Sequence, residues 1–233
     1  MKNITSIVLV LFIFSGSGNH LAGQTLKERI DQAQNIKVYF QYGDIVSAAN
    51  TTTQVGNSSS DSGCENFKET VPLPPAYQDA TKQVIELLNH GFGTNIFAEG
   101  NLSAVSDLPL NHEGELNWLL LGEPLTFYVS TSGAYTIRRY PGHFDRENSL
   151  EIQSHFKVYS VSEGRLKNLE TIFLASVKSA VVKTDPCSDY TYFVNNFPAA
   201  SLTEPFQTSL TENVEKFIEK QLEKYNKAMK KKK

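Results

Sequence analysis

Apolar residues recur along this chain at two spacings, and the switches between them outline its elements. Over residues 25–34, Leu26, Ile30 and Ala33 fall on one side of a short helix. Residues 36–42 alternate instead, with Ile36, Val38 and Phe40 on one face of a strand that Gly43 is expected to close. Asn, Thr, Ser, Gly and Ala dominate residues 47–69, which predicts a long polar loop. Such loops are uncommon in compact domains and tend to be functional or disordered. Pro72-Leu-Pro-Pro75 ends that stretch, and Pro75 suits the first position of a helix. Tyr77, Ala80, Val84, Leu87 and Leu88 then form one stripe at helical spacing. Gly91 is the expected left-handed cap, and residues 94–98 the next strand.

From Leu116 the pattern turns β. Residues 116–121, 125–130 and 134–138 read as separate strands, broken at Gly122 and at Ser132-Gly133. A Tyr140-Pro-Gly-His143 turn follows, then a long alternating strand over residues 150–161. Ser162-Glu-Gly-Arg165 predicts a hairpin turn into a return strand over residues 166–175, extendable to Val182. Turns at this short spacing indicate an antiparallel meander. Ser209-Leu-Thr-Glu212 has the form of a capping box. Leu210, Val214, Phe217, Ile218 and Tyr225 beyond it form a second amphipathic helix. The expected fold class is α+β, a mostly antiparallel sheet with two main amphipathic helices packed on it.

The N-terminus adds a compartment. Lys2 precedes an apolar run over residues 4–14, and Ser15-Gly-Ser-Gly18 follows it. This order is that of a secretory signal peptide. The run is too short for the roughly 20 residues that span a bilayer. Residues 1–23 are therefore expected to be removed near Gly23-Gln24, leaving residues 24–233 as one exported domain, periplasmic or secreted, without a transmembrane segment. The net charge is −3, and loss of Lys2 makes it −4. No net positive field holds a nucleic-acid backbone, so nucleic acid is not an expected partner. In an oxidising compartment the two cysteines, Cys64 and Cys187, read as a disulfide. Both sit in polar, turn-rich segments, not in strands where a lone thiol would pack.

The helix over residues 76–90 runs straight into Ile96-Phe97. Leu116-Asn-Trp-Leu-Leu-Leu-Gly122 is an apolar strand ending in Gly, and Phe156-Lys-Val-Tyr-Ser-Val161 runs into the Gly-containing turn Ser162-Glu163-Gly164. In this order of elements the chain resembles the envelope family of the curli-secretion channel subunit, the penicillin-binding-protein activators and the amino-terminal domain of TolB. The resemblance spans residues 36–225 and implies a sheet with helices packed on it that binds other envelope components. The chain lacks the lipid-attachment cysteine of the lipoprotein members and carries the additional polar loop.

Chemical motifs are sparse. Ser154-His-Phe-Lys157 has the Ser-x-x-Lys spacing of penicillin-binding enzymes, whose motif opens a helix. Here it lies in an alternating strand, where residues three apart point to opposite faces. His90, His112, His143 and His155 form no close ligand pair, so no metal or other cofactor is expected. Asp145, Glu147 and Glu151 read as a solvated turn. The aromatic cluster Tyr190, Tyr192, Phe193 and Phe197 follows Cys187, and it either packs in the core or presents a surface to a protein or glycan. The reading is an exported, non-enzymatic binding domain whose partner is an envelope protein or cell-wall component. The alternatives are an envelope hydrolase of unrecognised type and a carrier of a small apolar ligand.

Overall fold

The computed structural model describes residues 24–48, 70–101, 125–139, 146–162, 165–184 and 195–232. The expected signal peptide, both cysteines and residues 49–69 lie outside them, as do the strand expected over residues 116–121 and the turn expected at residues 140–143. Three helices are described: α1 (Leu26–Gln32), α2 (Pro75–Phe92) and α3 (Thr203–Lys231). The strands are β1 (Ile36–Ala48), β2 (Thr70–Val71), β3 (Phe97–Glu99), β4 (Leu125–Arg139), β5 (Arg146–Ser162), β6 (Arg165–Lys178) and β7 (Val182–Thr184). They make one sheet in the order β2-β1-β4-β5-β6, with β3 also on β1 and β7 on β5.

The expected meander is present: β4, β5 and β6 pair antiparallel, and the β5–β6 hairpin closes between Ser162 and Arg165. The parallel pairing of β1 with both β3 and β4 is additional. Parallel neighbours need a crossover, and α2 supplies it between β1 and β3.

Strands β1 and β4 and helices α2 and α3 outrun their sequence forecasts at a glycine or polar residue. Gly43 does not end β1; the pairing with β4 shifts between Tyr42 and Ile45, and the strand continues to Ala48. Ser132-Gly133 does not divide β4, a single strand of 15 residues. A Cβ at Gly133 would lie 2.6 Å from Ile152 Cδ1 and 2.9 Å from Ile45 Cγ1, so two neighbouring isoleucines fill the space. Gly91 is not the cap of α2; Gly93 is, at φ 64°. A Cβ at Gly91 would stand 2.5 Å from Ile218 Cδ1, so this glycine admits a side chain of α3. Ser209 is not the start of α3, which begins at Thr203 and carries Ser209 within it.

Helices α2 and α3 pack together on one face of the sheet. Phe92, Phe97, Phe127, Phe156 and Phe217 form a closed circuit of rings there, each within 6.4 Å of the next. It links α2, β3, β4, β5 and α3 through a single cluster. The expected stripe of α3 is buried as read: Leu210, Val214, Phe217 and Ile218 are each at most 5% exposed. Tyr77 is also fully buried, its ring edge-on to Phe206 and its hydroxyl donating to the Ala199 carbonyl at 2.5 Å.

A candidate binding surface on the sheet face opposite α2 and α3

The strand alternation that buries one face determines what the other carries. On β5, Ser154, Phe156 and Val158 are fully or almost fully buried, so Gln153, His155 and Lys157 point the other way. Their partners on β4 are Ser132, Ser130 and Tyr128, and on β6 Ser176, Phe173 and Thr171. Serine, threonine and glutamine thus surround a pair of rings.

That pair is His155 and Phe173, opposite each other in register with centroids 4.5 Å apart. Phe173 is 60% exposed, the most exposed large apolar side chain among the described residues. Its outward position has a local cause. Residues 172–174 are Ile-Phe-Leu, and strict alternation cannot turn all three inward. The β5–β6 register shifts between Ser154 and His155, so Ala175 faces Ser154 while Phe173 faces His155. Leu174 falls in the bulge between them and is fully buried. Asn213 of α3 donates to the Leu174 carbonyl at 2.9 Å and holds the bulge from the helix side.

Partial burial pushes the His155 imidazole below its ordinary value, and the Lys157 ammonium adds to this. The ring against Phe173 is therefore neutral at neutral pH. Glu151, further along β5, accepts from Gln153 at 2.7 Å and Ser176 at 3.2 Å. Tyr128 donates to Gln41 of β1, and burial pushes its phenol up to about 12. Toward β3 the face closes: Tyr39 is 4% exposed, and a Cβ at Gly100 would lie 2.5 Å from its ring. Exposed aromatic surface is thus concentrated at the β5–β6 side.

Of the aromatic cluster read from the sequence, Tyr190, Tyr192 and Phe193 lie outside the described residues. Phe197 is 3% exposed and belongs to the core cluster, so its ring packs inside and is not offered to a partner. His155 and Phe173 were not among the expected site residues. The apolar triplet at residues 172–174, one residue too many for a half-buried strand, was the signal available.

Ser154 has no catalytic access. It is fully buried in a line of hydroxyls, 3.0 Å from Thr131 Oγ1, which is 3.3 Å from Thr81 Oγ1 of α2. Lys157 points to the opposite face, as alternation requires. His90 is exposed in the last turn of α2, where a cation is favoured by the helix dipole. Among the described residues no group of His, Cys, Asp and Glu could hold a metal ion. No described helix is long and apolar enough to cross a membrane.

No family model matches this chain, and no curated protein matches it. Solved structures do. A Helicobacter pylori protein described as a neuraminyllactose-binding hemagglutinin homolog has 10% identity over 85% of this chain and 90% of its own, at TM-score 0.34. The hypothetical protein CT253 of Chlamydia trachomatis has 8% identity over 80% of this chain and 98% of its own, at TM-score 0.33. Protein XCC0632 of Xanthomonas campestris has 12% identity over 80% of this chain and 82% of its own, at TM-score 0.24. None of the three is described as a curli channel subunit, a penicillin-binding-protein activator or a TolB domain. These TM-scores are too low to fix either fold or function.

Proposed function

We propose that the mature chain is an exported, non-enzymatic binding domain of the cell envelope that engages its partner through the face of the sheet opposite α2 and α3. One observation carries this reading: Phe173, 60% exposed, stands on His155 within a field of hydroxyl and amide side chains. Exposed aromatic rings on a rigid scaffold are where partner-binding energy concentrates. The partner class is an envelope protein or cell-wall component, and export rests on the signal-peptide order of residues 1–23. A Cys64–Cys187 bridge would accompany that export, and free-thiol titration of the unfolded, unreduced chain tests it.

The direct test places a photo-crosslinking side chain at position 173 in the native cell, with position 212 on α3 as control. A specific adduct from position 173 and none from position 212 is expected. Equal adducts from both positions, or none from position 173, would remove the sheet face as the binding surface.

A further inference from the structure

The charge on α3 is sharply divided along its length. Residues 203–219 carry Glu204, Glu212, Glu215 and Glu219 against Lys216. Residues 220–232 carry six lysines against Glu223. The helix dipole favours cations at a C-terminus, but only within the last turn. It therefore accounts for Lys230 and Lys231 and not for Lys220, Lys224 or Lys227. Local carboxylates neutralise part of this end: Glu170 of β6 takes both Lys220 and Lys224, and Glu223 takes Lys227 at 3.3 Å. Lys230 and Lys231 form no ion pair among the described residues.

Two further features gather at the same pole. Met229, between these lysines and Lys227, is 37% exposed. Lys232 bonds Glu28 of α1 at 2.7 Å, and Lys27 lies over the Tyr225 ring at 5.9 Å. These contacts clamp α1 to the end of α3. Gln24, the first described residue, directly precedes the α1 N-cap Thr25 at this pole. Cleavage near Gly23-Gln24 would leave a new α-ammonium at this pole.

We infer that the pole formed by the end of α3 and the start of α1 docks on an anionic lipid surface. Lysines clustered beside an apolar side chain suit headgroups with acyl chains beneath, and each basic residue at such a surface contributes about a fivefold gain in binding. A soluble polyanion would use the lysines but not Met229. The acidic half of α3 does not oppose docking. Its nearest member, Glu219, lies about 16 Å along the helix from Lys230, beyond a Debye length of about 8 Å at physiological salt.

The purified chain is sedimented with vesicles of phosphatidylcholine alone and of phosphatidylcholine with phosphatidylglycerol. With residues 1–23 absent, as in the mature chain, the difference between the two lipids isolates charge. Binding is expected to rise with phosphatidylglycerol and to fall with added salt. Lys230→Gln with Lys231→Gln should lower the anionic-vesicle affinity by about thirtyfold, with the fold retained by circular dichroism. Met229→Ser should weaken it further, while Glu204→Gln with Glu212→Gln leaves it intact. Equal binding to both lipids, or an unchanged double-lysine variant, would overturn the proposal. Binding to inorganic polyphosphate as tight as to anionic vesicles, insensitive to Met229→Ser, would assign the pole to soluble polyanions instead.

Discussion

The two faces of the sheet are built from the same strands and differ in almost every physical respect. On the helix side Phe127, Phe156, Val158 and Ile152 are at most 1% exposed and belong to one core cluster with residues of α2 and α3. On the other side the same strands present His155, Lys157, Tyr128 and the serines of β4, with Phe173 left in solvent. One residue of offset in β6 separates the two outcomes: Leu174 is fully buried and Phe173 is not. Burial therefore follows from register at this point and not from hydrophobicity, since both side chains are strongly apolar. A large ring left out by such an offset packs only on its cross-strand neighbour His155 and adds nothing to the core, which motivates the proposal of a binding role for that face.

The sharpest way to break the contrast is to remove a ring from the closed face. Phe217 meets Phe92 at 6.4 Å and Phe156 at 5.2 Å, and is 3% exposed. Phe217→Ala should cost about 3–5 kcal/mol in urea unfolding. A change within error would mean that the circuit of rings is not one packed unit.

Overfilling that face should cost less. Gly133→Val places methyl groups where Ile152 and Ile45 already stand, for about 1–3 kcal/mol. Combining it with Ile152→Val removes the nearest methyl and should recover part of the loss. Additive losses in a double-mutant cycle would show that the strand backbone, not the isoleucine, resists.

On the open face the same class of change should separate stability from binding. Phe173→Ser should leave stability within about 0.5 kcal/mol, yet cost about 2 kcal/mol or more of affinity for the crosslinked partner. A stability loss as large as that of Phe217→Ala would place Phe173 in a core.

The smallest expected effect is a pH dependence carried by His155. Its folded value is depressed by burial first and Lys157 second. Folding therefore favours the neutral ring. The stability this contributes is fully present above about pH 6.5, the unfolded value. It is lost as the pH falls from there through the lower folded value, and levels off below it. His155→Phe should flatten that part of the stability curve, measured by urea midpoints across the range. An unchanged slope would assign the pH dependence to other groups.

Much of this molecule was legible in residue spacing. The stripes of α2 and α3 and the β5–β6 hairpin follow from periodicity, because burial on one side selects apolar residues every second or every three to four positions. Punctuation by glycine was less reliable. Gly43, Gly91 and Gly133 were read as breaks, yet each lies within a continuous element. At Gly91 and Gly133 the missing Cβ makes room for an isoleucine, Ile218 or Ile152, from another element. A glycine kept for a tight turn and one kept for a close approach look alike in sequence, since only the partner distinguishes them.

The sequence by itself determined the α+β class, the antiparallel core of the sheet and the buried stripe of α3. Those features depend on the local alternation of apolar and polar side chains. It also contains the charge division along α3, because helical rise converts sequence distance directly into length. Only the tertiary structure decided that β1 runs parallel to β3 and β4, that Phe197 packs inside, and that Phe173 and His155 meet on the sheet face opposite α2 and α3. Each of these depends on register or on contacts between residues distant in the chain. A shift of one residue in pairing reverses the face of a side chain without changing a letter of the sequence.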